Sequence, residues 1–144
     1  MFKTIVVGTD GSATADEAVR VAAELAALCD AELHVVSAYR SVPLRKLQQQ
    51  RATMPEEFAW DIHDQSDVEV TLERAAKGAE AMGAACTVHA SPEDPVTAVL
   101  AVTEQEAADL VVVGNKGMER RLLSSVPNSI AHRAHTAVLI VATT

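Results

Sequence analysis

Five short apolar runs rich in β-branched residues recur along the chain, and residues with a helical period separate most of them. Uninterrupted apolar runs of this kind are typical of strands buried on both faces of a parallel sheet. Alternating strands and helices predict an α/β fold, and right-handed crossovers restrict it to a doubly wound parallel sheet. The predicted strands are Lys3–Gly8, Glu32–Tyr39, Ala84–Ala90, Leu110–Val113 and Ala137–Ala142.

Four helices are predicted between these strands, and several of their ends carry capping residues. Ser12 is placed to cap the first helix through its hydroxyl, and Asp94 followed by Pro95 is a strong start for the third. Gly83 is placed to end the second helix in a left-handed conformation. The predicted helices are Ala13–Leu28, Gln65–Met82, Pro95–Ala107 and Val126–Ala134.

The 144 residues are predicted to form a single domain over residues 1–144, with one irregular segment at 40–64. We predict that this segment is a long loop with a helical turn or two, a kind of loop that is often functional. Cys29 and Cys86 form no C-x-x-C pair and are interpreted as reduced, small core residues. With no leader-like stretch and no apolar run of membrane length, a cytoplasmic location without membrane contact is expected.

The chain is acidic, with a formal net charge of −8, but the charge is unevenly spread. An acidic protein is a poor partner for nucleic acid, because neutralising phosphates requires a basic face. The segment 114–135 nevertheless carries four basic residues against one acidic residue, a net +3, which leaves −11 on residues 1–113. A local anion site and a solvated basic helix face explain this segment equally well.

A glycine-rich turn, Gly114-Asn115-Lys116-Gly117, follows the fourth predicted strand directly. Glycines allow backbone N–H groups to approach an anion closely, and Lys116 adds a positive charge. Ser124 and Ser125 then precede a helix whose first turn contains Pro127, and a helix N-terminus favours phosphate. A phosphate cradle is one interpretation. A tight turn followed by a capped helix is at least as well supported by these residues alone.

The sequence lacks several established signatures of nucleotide and catalytic sites. Neither G-x-x-x-x-G-K-[S/T] nor a G-x-G-x-x-G after the first strand occurs, which excludes a P-loop and a dinucleotide fingerprint. No G-x-S-x-G elbow supports a hydrolase triad. His132 and His135 lie three residues apart and are interpreted as favourable helix C-terminal residues rather than metal ligands. Neither a catalytic residue nor a metal site is therefore predicted.

Asp10 follows the first predicted strand and allows two interpretations. A carboxylate at the carboxyl end of a central strand is placed to contact ribose hydroxyls or a metal. An aspartate followed by Gly11 also forms turns by accepting a hydrogen bond from its own backbone.

Several segments together resemble the universal stress protein family over the whole chain apart from the segment 40–64. The resemblance is carried by Ile5-Val-Val-Gly-Thr-Asp-Gly-Ser12, Leu33-His-Val-Val36, Asp109-Leu-Val-Val-Val-Gly-Asn-Lys-Gly117, Ser125-Val-Pro-Asn128 and Val138-Leu-Ile-Val141. It implies a five-stranded parallel sheet of order 3-2-1-4-5, similar to the adenine nucleotide alpha hydrolase fold. It also implies a homodimer paired through the last strand, residues 137–142.

ATP-binding members of this family carry the pattern G-x2-G-x9-G-[S/T], which this chain matches in part. The resemblance places Gly114, Gly117 and Ser125 on the pattern. Only six residues, 118–123, separate Gly117 from Ser124, where the pattern has nine, and Ser124 replaces the third glycine. Arg120 and Arg121 offer charge-assisted contacts to phosphate that would compensate for these departures.

The resemblance therefore implies a stress-response regulatory protein that binds ATP or AMP, with Mg²⁺ as a companion ion, and that is not primarily an enzyme. The implied binding residues are Thr9, Asp10, Ala38, Gly114, Asn115, Lys116, Gly117, Ser124, Ser125, Val126 and Pro127. One alternative is a dimeric interaction module of the same fold that binds no nucleotide. Another is an enzyme with the related nucleotide-hydrolase fold.

Overall fold

The structure, a computed structural model, describes residues 1–39, 65–115 and 126–142. The predicted loop at 40–64 lies outside the described residues, and so does the segment 116–125. The predicted placements of Lys116, Gly117, Ser124 and Ser125 are therefore not tested. Within the described ranges, no helix combines the length and the hydropathy needed to cross a bilayer.

Strands and helices alternate in the described residues in the predicted order, and most predicted ends are correct to within one or two residues. The strands are β1 Thr4–Gly8, β2 Glu32–Ala38, β3 Ala85–Ser91, β4 Leu110–Gly114 and β5 Ala137–Val141. The helices are α1 Ala13–Cys29, α2 Gln65–Ala81, α3 Pro95–Gln105 and α4 Val126–Arg133.

The five strands form one parallel sheet in the order β3-β2-β1-β4-β5, which confirms the doubly wound fold. β1 is central, and its Ile5 is paired with Leu33 on one side and with Leu110 on the other. From β1 the chain builds outward to β3 and then returns to β4 on the opposite side. The strand order therefore reverses between β1 and β4, where ligands of doubly wound sheets bind beyond the carboxyl ends.

Each face of the sheet packs against two helices, because alternate residues of a strand point to opposite faces. Ile5 and Val7 of β1 belong to the cluster that includes buried residues of α1 and α2. Val6 belongs to the second cluster, with Val99 of α3 and Ile130 of α4. α1 contributes mainly small side chains to the first cluster, which suits close packing of a helix on the sheet. Its buried residues are Ala18, Val19, Ala22, Ala23 and Ala26.

The helix ends confirm the predicted caps. The Oγ atom of Ser12 accepts a hydrogen bond from the Ala15 N–H at 3.1 Å, which satisfies a free donor of α1. Gly83 has a φ of +90° just after α2, the left-handed conformation that was predicted there. α1 ends without glycine, since Asp30 takes the left-handed conformation with a φ of 54°.

Cys29 and Cys86 are both free thiols and are half-buried. Both pack against the cluster between the sheet and the α1–α2 face, as expected for small core residues. Burial raises the pKa of the Cys86 thiol, and the charge of Glu80 adds to the effect, so this thiol is protonated at neutral pH.

Candidate functional site

Thr9 follows β1 at the point where the strand order reverses, and its backbone is held on both sides. Its N–H donates to the Val36 carbonyl at 2.9 Å, which extends the β1–β2 ladder by one bond. Its carbonyl accepts a 2.7 Å hydrogen bond from the buried hydroxyl of Ser37. The chain therefore leaves the sheet from a fixed position.

Asp10 is exposed and begins the tight turn that leads into α1. Its Oδ1 atom accepts a hydrogen bond from the Ser12 N–H at 2.9 Å, so the turn-forming interpretation is confirmed. The Thr9 Oγ1 atom accepts from the Gly11 N–H at 3.1 Å and closes the same turn. Because the Asp10 carboxylate stays at the surface, this role is compatible with a ligand contact.

Residues of α2 brace this turn, a feature that the sequence analysis missed. One Arg74 nitrogen, Nη2, donates to the Gly11 carbonyl at 3.0 Å and to Asp16 Oδ1 at 3.1 Å. A Cβ atom on Gly11 would lie 2.7 Å from Thr71 Oγ1, and the φ of Gly11 is +82°. Because Arg74 lies 63 residues after Gly11, no local sequence pattern predicts this contact.

Gly114 and Asn115, at the end of β4, lie on the other side of the switch point, the place between β1 and β4 where the strand order reverses. Gly114 is in register with Val141 of β5, and the Asn115 N–H donates to the Val141 carbonyl at 3.0 Å. Val7 is in register with Val112, so extending that register by two residues places Thr9 level with Gly114. The structure thus brings these four predicted residues to one edge: Thr9, Asp10, Gly114 and Asn115.

Three further predicted residues lie at the ends of neighbouring elements. Ala38 is the last residue of β2 and is half-buried, beside the strand from which Thr9 emerges. Val126 and Pro127 are the first residues of α4, and Pro127 is buried. Val126 packs against the cluster on the α3–α4 face. Their placement leaves the N-terminal turn of α4 directly after the segment that carries Lys116, Gly117, Ser124 and Ser125.

A family model and a known protein both match nearly the whole chain. A model of the universal stress protein family matches residues 1–142. Universal stress protein Rv1636 of Mycobacterium tuberculosis (strain ATCC 25618 / H37Rv) is 37% identical over 148 residues, covering 99% of this chain and 98% of that protein.

Solved structures agree with the observed architecture. A universal stress protein in complex with cAMP is 33% identical, with a TM-score of 0.79, and the match covers 99% of this chain and 98% of that one. A universal stress protein from Archaeoglobus fulgidus in complex with dAMP is 22% identical, with a TM-score of 0.70 over 96% of each chain. The second likeness shows that the fold is shared.

Proposed function

Because the chain belongs to the universal stress protein family, we propose that it binds an adenine nucleotide, ATP or AMP, and acts as a stress-response regulator. The site lies beyond the carboxyl ends of β1 and β4. The observation that carries this proposal is the meeting of the Thr9–Asp10 turn with Gly114–Asn115 at the switch point of the sheet. A 33% identical member of the same family was solved in complex with cAMP, which supports an adenine nucleotide as the ligand class.

The nucleoside half of the ligand is assigned to Asp10 and Ala38. An exposed carboxylate accepts hydrogen bonds from two neighbouring ribose hydroxyls with good geometry, and the Ser12 bond holds Asp10 in place. Ala38 has a small side chain at the end of β2, which leaves room for a flat base beside the sheet edge.

The phosphate half is assigned to the segment that links β4 with α4. Backbone N–H groups at Gly114 and Gly117, the Lys116 ammonium and the Ser124 and Ser125 hydroxyls are all suited to phosphate oxygens. The positive end of the α4 dipole at Val126 and Pro127 favours the same negative charge. Mg²⁺ is proposed as a companion of the phosphates, because it prefers oxygen ligands.

The proposal assigns binding rather than turnover. The sequence offers neither a nucleophile elbow, which would present an attacking serine, nor a P-loop, whose lysine would hold the β- and γ-phosphates for hydrolysis. Sustained release of phosphate from ATP by the purified chain would contradict this part of the proposal.

A homodimer through β5 is the second part of the proposal. β5 lies at the edge of the sheet, next to β4, and four of its five residues are half-buried. The Val141 carbonyl points towards β4, so by the alternation of a strand the Val138 and Ile140 N–H groups point away from it. A second copy of β5 would satisfy these outward donors and cover the edge.

Calorimetric titration with ATP, AMP and cAMP, with and without Mg²⁺, tests the binding proposal. We expect the wild type to bind at least one of them with a Kd on the order of micromolar. Gly114→Val and Gly117→Val should each abolish binding by blocking the backbone. Gly78→Val is the matched control, because nothing lies within 4 Å of a Cβ at this exposed helical position.

The role of Asp10 is tested with a nucleotide that lacks both ribose hydroxyls. The wild type should bind 2′,3′-dideoxy-ATP more weakly than ATP, whereas Asp10→Ala should bind the two equally. If the wild type binds none of ATP, AMP and cAMP, the alternative of a nucleotide-free interaction module replaces this proposal.

A further inference from the structure

We propose that His34, His89 and Glu106 bind one divalent first-row transition-metal ion, with Zn²⁺ as the reference ion, at a site separate from the nucleotide site. Their possible ligand atoms, one from each side chain, all lie within 4.8 Å of one another. Glu106 follows α3 and caps its C-terminal end, and His34 is the third of the seven residues of β2, so these two residues lie towards the amino ends of the strands.

The sheet register explains why the two histidines meet. His34 of β2 is paired with Thr87 of β3, and Val36 is paired with His89. Partners in register share a face, and so do residues two apart on one strand, so both rings lie on the face of Val36. α3 packs on this face through Ala98, Val99 and Val102, and its end brings Glu106 to the same place.

The distances are close to those of a metal site. The His34 Nδ1 and His89 Nε2 atoms face each other at 2.8 Å. A Glu106 carboxylate oxygen lies within 4.8 Å of one nitrogen of each ring, and its Oε2 atom is 3.9 Å from the other His34 nitrogen, Nε2. Tetrahedral Zn²⁺ with bonds of roughly 2.0–2.2 Å separates its ligand atoms by about 3.4 Å. To accept the ion, the two rings therefore have to separate slightly and the Glu106 carboxylate has to move within bonding distance of it.

The buried ring of His34 is incompletely hydrogen-bonded. The residue is 3% exposed, and its Nε2 atom has no hydrogen-bond partner among the described residues. The Glu32 Oε1 atom lies 3.2 Å away without the alignment of a hydrogen bond. When Nδ1 binds the metal, the neutral ring carries its proton on Nε2, and a small rotation would align that N–H with the Glu32 carboxylate, a contact that metal-bound histidines commonly make.

The donor set selects the class of ion. Two imidazoles and one carboxylate suit zinc and its neighbours, whereas Mg²⁺ and Ca²⁺ prefer oxygen ligands alone. The Glu32 and Glu106 carboxylates supply negative charge, and their side chains are 56% and 30% exposed, which gives an ion a path from solvent. Three protein ligands leave a fourth position for water or another small ligand.

Titration of the full chain with Zn²⁺ and Co²⁺, without nucleotide, tests this site. We expect one ion per chain, a visible Co²⁺ spectrum of tetrahedral intensity and no response to Mg²⁺. His89→Gln and Glu106→Gln should each weaken binding by at least tenfold, because losing even a residue that only orients a metal ligand typically costs about 10–100-fold in metal affinity. Both residues are partly exposed, so these variants should keep the fold, which far-ultraviolet circular dichroism verifies.

His132→Gln with His135→Gln is the matched control, because both histidines are exposed and lie on or just after α4. This double variant should bind as the wild type does. Equal losses in the control and site variants would overturn the proposal, and so would a thiolate–cobalt charge-transfer band from Cys29 or Cys86. If no Co²⁺ spectrum forms, His34 and His89 are a hydrogen-bonded pair only. Because no nucleotide is present, these outcomes do not depend on the nucleotide proposal.

Discussion

The Ser37 hydroxyl donates a 2.7 Å hydrogen bond to the Thr9 carbonyl and joins the end of β2 to the turn after β1. Both residues are buried, with exposed fractions of 3% and 9%, so water does not replace this bond easily. The bond fixes the carbonyl that immediately precedes Asp10, the residue assigned to the ribose.

Replacing Ser37 with Ala should lower the free energy of unfolding by about 1–3 kcal/mol, because the Thr9 carbonyl loses its buried donor. Nucleotide affinity should fall as well, because Asp10 is less well fixed. Urea unfolding and calorimetry measure the two effects. Ser91→Ala is the control at the end of β3, where the exposed hydrogen bond from Glu93 N–H to the hydroxyl contributes little. Equal stability of the two variants would show that the Ser37 bond is unimportant.

Replacing Gly11 with Ala should destabilise the fold by about 1–3 kcal/mol, because a residue with a Cβ is strained at a φ of +82°. The new Cβ also meets Thr71 Oγ1 at 2.7 Å. Adding Thr71→Ala should remove the steric contact and recover that share of the lost stability, whereas the strain of the positive φ should remain. Thermal unfolding of the single and double variants measures the two contributions.

Gly78→Ala is the matched control for Gly11, since Gly78 lies within α2 and its Cβ would meet nothing within 4 Å. This change should stabilise the protein by about 0.5–1 kcal/mol, because alanine has the better helix propensity. If both substitutions lower the stability, the cause is a general intolerance of alanine at glycine positions and not the geometry of the turn at Gly11.

The cap of α3 should make a pH-dependent contribution to stability. Hydrogen bonds from the Thr97 side chain and backbone hold the pKa of Asp94 below its ordinary value of 3.8. A lowered folded-state pKa means that the contribution is fully present above the unfolded-state value and is lost as the pH falls through the folded-state value.

Asp94→Ala should therefore cost about 0.5–2 kcal/mol at pH 7. Asp94→Asn keeps a capping side chain without the charge, so the difference between it and the wild type should shrink as the pH falls below 3.8. The midpoints of urea unfolding of the wild type and the two Asp94 variants, measured from pH 7 to below pH 3.8, test this prediction. A difference that stays constant with pH would exclude the ionised carboxylate as its source.

The β5 edge predicts a selective effect of proline on assembly. Val138→Pro removes an N–H that points away from β4, so it should leave the β4–β5 ladder intact and convert the proposed dimer to a monomer. Val138→Ala shortens the side chain but keeps the N–H and should remain dimeric. Sedimentation equilibrium distinguishes these states. A wild-type monomer, or a dimer that survives the proline, would contradict assembly through this edge.

The local features of this protein were determined by its sequence. The apolar runs gave the strands, and Ser12 and Asp94 marked helix starts that the structure confirms, since each cap bonds a backbone group three residues away. Periodicity also predicted the parallel, doubly wound architecture. It did not give the order 3-2-1-4-5, which the family resemblance implied and the sheet pairing confirms.

The tertiary structure alone decided which distant residues meet. Arg74 bonds Gly11 across 63 positions, and His34 faces His89 across 55, because sheet register and helix packing bring them together. Such contacts produce no periodic pattern in the sequence, because each of these residues also fits its own helix, strand or turn as an ordinary residue. The sequence thus determined which segments form strands, helices and turns, and the packing of those segments decided how the turn at Asp10 is braced and where two histidines and a glutamate converge.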